Sequence, residues 1–145
     1  MRKIIIAVIM TLFVTSAFAV NEEINPAVES AFKAKFPGAS GVEWSKDSNY
    51  YKASFTNNGA VMFAFYDESA KLMGVMKYIR STRLPLDLQS KLRPYFKNYW
   101  ITDLFEMTSR GSIAYYVTLR NANGEISLES RNSDDWKLLT VKTIE

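Results

Sequence analysis

The chain has 145 residues, 48% of them apolar and 14% aromatic, which is enough for one compact domain with its own core. It contains no His and no Cys, which excludes imidazole bases, thiolate nucleophiles, disulfides and the metal sites built from these side chains. Its 18 basic and 15 acidic residues give a net charge of +3.

The N-terminus has the pattern of a secretory signal peptide. Arg2 and Lys3 precede an apolar run over residues 4–14, and Ala17-Phe18-Ala19 supplies the small residues of a cleavage site. The run is shorter than the roughly 20 residues of a membrane-spanning helix. We therefore expect cleavage after residue 19, a periplasmic or secreted protein, and no membrane attachment afterwards. Without Arg2 and Lys3, the chain has 16 basic and 15 acidic residues, and this net charge of +1 argues against nucleic-acid binding.

The first element of the exported chain is a predicted helix. Asn25-Pro26 favours a helix start, because Asn is a good N-cap and Pro suits the first helical position. Val28 and Phe32 recur on one face of this helix. Phe36-Pro37-Gly38 ends it, since Pro cannot continue a helix.

Four strands are predicted next from the alternation of apolar and polar residues and from runs of apolar side chains. They lie at about Val42–Ser45, Tyr51–Phe55, Val61–Tyr66 and Leu72–Arg80. Asn57-Asn58-Gly59 is a strong hairpin signal between the second and third, because Asn and Gly tolerate positive φ.

The same order of elements then repeats. Leu84-Pro85 opens a second helical segment, which Pro94 bends or splits. Strands follow at about Ile101–Met107, Ile113–Arg120, Glu125–Arg131 and Trp136–Ile144, with a hairpin turn at Asn123-Gly124. The sequence predicts an α+β fold, a tandem of two helix-plus-four-stranded antiparallel sheet units. Repeat one would cover about residues 24–80, the linker 81–84 and repeat two about 85–145.

Several structural motifs resemble those of the PepSY-like family of small exported bacterial proteins, whose fold is similar to that of the β-lactamase inhibitor protein. They are Ala31-Phe32, Phe36-Pro37, Val42-x-Trp44, Tyr51-x-Ala53-x-Phe55, Gly59 and Leu84-Pro85. The resemblance covers nearly all of the chain after residue 19. It implies binding of other proteins through an open sheet face and hairpin loops, and a link to peptidase inhibition. It transfers no contact residue to this chain.

Alternation along the strands assigns their side chains to two faces of the sheet. The face under the helices is predicted to carry Tyr51, Phe55, Val61, Phe63, Phe65, Tyr115, Val117, Leu119, Ile126 and Leu128. The opposite face, here called the open face, is predicted to carry Tyr50, Lys52, Ser54, Met62, Tyr66, Tyr116, Thr118, Arg120, Glu129 and Arg131.

Tyr, Met and Arg are enriched where proteins bind proteins. The predicted protein-binding residues are therefore Tyr50, Lys52, Met62, Tyr66, Tyr116, Arg120 and Arg131. The alternative is an ordinary solvated sheet face, on which cross-strand pairs only stabilise the sheet.

No pattern in the sequence is typical of catalysis. The carboxylate pairs Glu22-Glu23, Asp67-Glu68 and Asp134-Asp135 fall in a lead-in and two turns, where acidic residues serve solubility and turn geometry. We expect no enzyme activity, no cofactor and no metal.

Three functions remain open. The leading hypothesis is an exported protein-binding module for an unknown exported or envelope protein, either a monomer or a dimer through an edge strand. The second is an envelope carrier of a small ligand or peptide, which would need a concave apolar pocket between the two halves. The third is an enzyme inhibitor with a protruding loop, for which Asp103–Ser112 is the candidate, although the same stretch also fits a longer hairpin.

Overall fold

The computed structural model describes residues 23–143, so the predicted signal peptide and the last predicted strand residue, Ile144, lie outside it. The elements follow the chain in the predicted order of helix, four strands, helix and four strands. They are α1 (Pro26–Lys35), β1 (Ser40–Asp47), β2 (Tyr50–Asn57), β3 (Ala60–Tyr66), β4 (Leu72–Tyr78), α2 (Leu86–Leu92), β5 (Trp100–Ser109), β6 (Ser112–Asn121), β7 (Gly124–Ser130) and β8 (Lys137–Thr143).

Both helices have the boundaries that their sequence signals dictate. The Asn25 side chain accepts a hydrogen bond from the Ala27 amide at 2.9 Å, which caps the start of α1. The α-helix α2 ends at Leu92, and a 3-10 helix (Arg93–Lys97) continues from it. The change falls at Pro94, which has no N–H to donate to the preceding turn. A second 3-10 helix, Ser81–Arg83, occupies most of the predicted linker.

The eight strands form one antiparallel sheet in chain order, β1 to β8. The strands β4 and β5 pair directly, from Val75 opposite Thr108 to Tyr78 opposite Phe105. This pairing joins the first four strands to the last four, so the sheet is continuous rather than two separate sheets. The predicted α+β class is confirmed by the two helices and the antiparallel sheet. The division into two repeated units stays a prediction.

Each helix packs on the strands that follow it. Under α1, the Phe32 ring lies 5.2 Å from Trp44 and 4.9 Å from Phe55. Under α2, Leu88 and Leu92 are buried against a cluster that includes Leu104, Val117 and Leu119. The register through β4 and β5 places both helices on the same face of the sheet.

The predicted face assignment is wrong for β3. Tyr66, Ala64 and Met62 lie opposite Tyr51, Ala53 and Phe55, whose side chains face α1. Met62 and Tyr66 therefore belong to the helix-covered face, and Val61, Phe63 and Phe65 to the open face. The sequence of β3 is apolar at nearly every position, so alternation could not show which set points to which face.

The two hairpin turns predicted from Asn-Gly differ in their geometry. Asn58 and Gly59 have φ of 50° and 75°, as the tight turn between β2 and β3 requires. In the other hairpin the turn residues are Ala122 and Asn123, one position earlier than predicted, and Gly124 already belongs to β7. The Asn121 side chain holds this turn by accepting hydrogen bonds from the amides of Asn123 and Gly124, at 2.8 and 2.9 Å.

Candidate functional site

The open face carries its own apolar cluster, built from strand residues alone. Phe65, Met76, Phe105, Met107 and Tyr116 are each only 2 to 6% exposed. Half-buried neighbours surround them, namely Tyr50, Phe63, Met73, Tyr78, Ala114 and Leu139. Neither α1 nor α2 contributes a residue to this cluster. The sheet therefore has an apolar layer on each face.

A row of four aromatic rings crosses this cluster, one from each of the strands β3 to β6. The centroids of Phe63 and Tyr78 lie 5.9 Å apart, those of Tyr78 and Phe105 6.1 Å, and those of Phe105 and Tyr116 5.2 Å. These distances are typical of favourable ring pairs. We call Phe63, Tyr78, Phe105 and Tyr116 the aromatic row.

The row ends at a buried carboxylate. The Tyr116 hydroxyl donates a hydrogen bond to Glu129 Oε1 at 2.6 Å, and Arg131 Nε donates to the same oxygen at 2.7 Å. Glu129 is only 4% exposed, and a buried charge needs such partners. Burial, with the neighbouring carboxylate of Glu129, raises the pKa of Tyr116 well above its usual range. The phenol therefore stays protonated and acts as a hydrogen-bond donor.

Polar groups also flank the other rings of the row. The Tyr78 hydroxyl donates to Asp103 Oδ1 at 3.4 Å, and burial together with Asp103 raises the pKa of Tyr78. Lys52 Nζ lies 5.8 Å from the Phe63 centroid, a cation–π distance. Partial burial lowers the pKa of Lys52.

Trp100 and Arg120 lie directly opposite each other across β5 and β6, so they share the open face. Trp100 is 54% exposed, and Arg120 is exposed as well. Trp100 is not among the residues predicted from the sequence, although a Trp that begins a strand opposite a predicted Arg is a usable signal. Phe63 and Tyr78 were not predicted either, and the uniform apolarity of β3 concealed Phe63.

Five of the seven predicted protein-binding residues lie on the open face, namely Tyr50, Lys52, Tyr116, Arg120 and Arg131. Tyr116 is only 6% exposed, so it packs in the buried cluster of this face. Met62 and Tyr66 are not part of this face, as the register of β3 shows. Tyr66 is 1% exposed in the core under α1, and its hydroxyl has no hydrogen-bond partner among residues 23–143.

The stretch considered for an inhibitory loop is a regular hairpin. The strands β5 and β6 pair from Trp100 opposite Arg120 to Ser109 opposite Ser112. Only Arg110 and Gly111 form the turn, with φ of 49° and 77°. The longer-hairpin interpretation of Asp103–Ser112 is therefore the correct one, and this stretch contains no extended loop.

A separate groove of about 660 Å³ lies where β3 begins and β4 ends. It is lined by Gly59, Ala60, Val61, Lys77, Tyr78, Ile79, Arg80, Thr82, Arg83 and Glu106. This groove is at the junction of the first four strands with the last four. Its lining includes three cations and a carboxylate, so it is not the apolar pocket that the carrier hypothesis requires.

Residues 23–143 contain neither a candidate metal-binding cluster nor a candidate membrane-spanning helix. No three His, Cys, Asp or Glu residues in this part of the chain are grouped so that they could hold a metal ion. None of its helices combines the length and apolar character needed to cross a membrane.

No protein-family model and no curated protein matches this chain. Three solved structures from Bacteroides are similar to it over most of their length. A BLIP-like protein from Bacteroides fragilis is 18% identical, with a TM-score of 0.68 over 85% of this chain and 88% of its own. A DUF2874 family protein from Bacteroides uniformis is 17% identical, with a TM-score of 0.72 over 83% and 89%.

The third structure is a protein from Bacteroides eggerthii described as a candidate periplasmic protein. It is 16% identical, with a TM-score of 0.74 over 85% of this chain and 91% of its own. At such identities the likeness establishes the fold, and the resemblance to the PepSY-like family stays a prediction. The similarity to the BLIP-like and DUF2874 structures shows that this chain has a BLIP-like fold, with one eight-stranded sheet and both helices on one face of it.

Proposed function

We propose that this protein is an exported, non-enzymatic protein-binding module that binds an exported or envelope protein through its open face. The observation that carries the proposal is the aromatic row, which runs over four neighbouring strands on the face that neither α1 nor α2 contacts. Ordinary solvated sheet faces carry polar side chains rather than a continuous apolar layer.

The accessible groups in and around the aromatic row have the chemistry of an interface. They are Tyr50, Lys52, Phe63, Tyr78, Trp100, Arg120 and Arg131. Tyr, Trp and Arg supply most of the binding energy in many protein interfaces. The buried members of the cluster pack beneath these groups and restrict their motion, which lowers the entropy lost on binding.

Two of the carboxylates singled out in the sequence, Asp67 and Asp135, hold local structure, which favours a non-enzymatic function. Asp67 accepts hydrogen bonds from the amides of Ser69 and Lys71 at 3.0 and 2.9 Å, and so holds the turn after β3. Asp135 accepts from the Trp136 amide at 2.9 Å and lies 3.4 Å from Lys91 Nζ. General acid–base catalysis would instead require such groups to converge on one pocket.

Export is supported by the N-terminal sequence pattern and by the description of the Bacteroides eggerthii structure as a candidate periplasmic protein. Cleavage after residue 19 and the monomeric or edge-strand dimeric state belong to the same proposal. In residues 23–143 the sheet edges are β1 and β8.

The test is affinity capture from an envelope extract, followed by a titration of the captured protein against purified chain. The open-face variant carries Lys52→Glu, Trp100→Ala and Arg120→Glu. The control variant carries Lys97→Glu, Phe96→Ala and Arg93→Glu, which changes the same charges and a comparable exposed ring in the 3-10 helix after α2.

We expect a partner that binds the natural chain and the control variant alike, and binds the open-face variant roughly tenfold or more weakly. Equal binding by all three chains would overturn the proposal, and so would the lack of any saturable partner. If the partner is an enzyme, its activity with saturating chain shows whether binding is inhibitory.

A further inference from the structure

We propose that the groove at the junction of β3, β4 and β5 is a binding site for a small, multiply charged anion that carries carboxylate or phosphate groups. This site is separate from the aromatic row and does not depend on the function proposed above. Its volume of about 660 Å³ falls in the range of small-molecule sites.

Three cations line the groove from three different positions. Lys77 comes from β4, Arg80 follows the end of β4, and Arg83 comes from the 3-10 helix Ser81–Arg83. The ion pairs of residues 23–143 are Lys33–Glu29, Lys91–Asp135 and Arg131–Glu129, so none of the three groove cations is neutralised by an ion pair there. Cations that converge on a recess without internal partners attract an anion from solution.

Glu106 is the acidic residue in the lining, and its carboxylate interacts with a residue outside the groove. It lies opposite Lys77 across β4 and β5 but interacts with the Tyr115 hydroxyl. Burial, together with the Glu106 carboxylate, raises the pKa of Tyr115. The lining therefore retains an excess of positive charge. Two Arg guanidinium groups can each hold a carboxylate or a phosphate through paired N–H donors, while Lys77 adds a point charge.

The experiment measures the binding of two probes, citrate and pyrophosphate, to the purified protein by isothermal titration calorimetry. The groove variant carries Lys77→Gln, Arg80→Gln and Arg83→Gln. The control variant carries Lys35→Gln, Arg93→Gln and Arg110→Gln, which removes one Lys and two Arg from exposed positions outside the groove. Circular dichroism checks that both variants fold.

We expect saturable binding of at least one probe, weakened by added salt because the attraction is electrostatic. The groove variant should bind roughly tenfold or more weakly, the control variant should bind like the natural chain, and Glu106→Gln should bind more tightly. Preference for citrate would indicate a carboxylate ligand and preference for pyrophosphate a phosphorylated one. Failure of both probes to bind at millimolar concentration, or equal weakening in both triple variants, would overturn the proposal.

Discussion

The ring of Phe105 stacks on the ring of Tyr116, with centroids 5.2 Å apart and planes 18° apart, across the central strands β5 and β6. The hydroxyl of the same Tyr116 binds the buried carboxylate of Glu129. One side chain thus links the aromatic row to the polar network at its end.

The stacked pair should show a measurable coupling energy. In a double-mutant cycle with Phe105→Leu and Tyr116→Leu, we expect a coupling of about 0.5–1.5 kcal/mol in the free energy of unfolding, because ring pairs contribute this much beyond the area that they bury. Urea denaturation of the four proteins measures it. Additivity of the two substitutions would show that the stacking itself adds nothing.

Loss of the Tyr116 hydroxyl should cost stability on its own. Tyr116→Phe keeps the ring but removes the 2.6 Å hydrogen bond to the buried Glu129. We expect the free energy of unfolding to fall by about 1–3 kcal/mol, since a buried charged group loses a partner. A matched control is Tyr78→Phe, whose hydrogen bond to Asp103 is longer at 3.4 Å, and which should cost less. Urea midpoints that rank the two variants in the opposite order would contradict this account.

The Tyr66 hydroxyl should behave in the opposite way. It is buried under α1 and has no hydrogen-bond partner among the described residues. Because a buried polar group without a partner costs about 1–3 kcal/mol, Tyr66→Phe should leave the free energy of unfolding unchanged or raise it by up to this amount. Thermal and urea unfolding both report the change. A clear loss of stability would mean that the hydroxyl has a stabilising partner.

Stability should decline at alkaline pH through Tyr116. Its pKa in the folded protein lies above the ordinary value of 10.0, because burial and Glu129 disfavour the phenolate. Above about pH 10 the unfolded chain therefore binds fewer protons than the folded one, and the free energy of unfolding falls as pH rises. We expect a smaller fall in Tyr116→Phe, with the remainder due to Tyr66, Tyr78 and Tyr115, whose pKa values are also raised. Identical pH profiles for both proteins would refute the assignment.

Gly124 should not tolerate a side chain. A Cβ at this position would overlap the Lys142 carbonyl oxygen of the neighbouring strand β8. We expect Gly124→Ala to lower the free energy of unfolding by about 1–3 kcal/mol, because the backbones of β7 and β8 must move apart. Amide hydrogen exchange should locate the loss of protection in β8. Gly38→Ala is the control, since its Cβ would approach only the Asn57 side chain, at 3.2 Å.

Local signals in the sequence were sufficient for most of the elements. The Asn25 cap and the Pro37 stop bound α1, Pro94 marks the change from α-helix to 3-10 helix, and Asn58-Gly59 forms a positive-φ turn. Each of these features depends on residues within one or two turns of chain, so the residue types alone specify them. The α+β class and the order of elements follow from the same signals.

The faces of β3 and the continuity of the sheet were decided by tertiary structure. In Val61–Tyr66 every residue is apolar, so either set of alternate side chains could face the helix, and a shift of one residue exchanges the two sets. The pairing of Tyr66 with Tyr51 selects Met62, Ala64 and Tyr66 for the core under α1. Phe63 and Phe65 therefore lie on the open face, in an apolar layer that the sequence pattern did not predict.

The sequence by itself thus determined the helices, the strands and the hairpin turns, because short-range backbone preferences specify them. Tertiary structure decided which side chains share a face, because strand register depends on partners far apart in the chain. The pairing of Met76 with Met107 joins β4 to β5 across 31 residues and makes one sheet of the eight strands. Because of this pairing, residues from both halves of the chain lie together on the open face and around the groove lined by Lys77, Arg80 and Arg83.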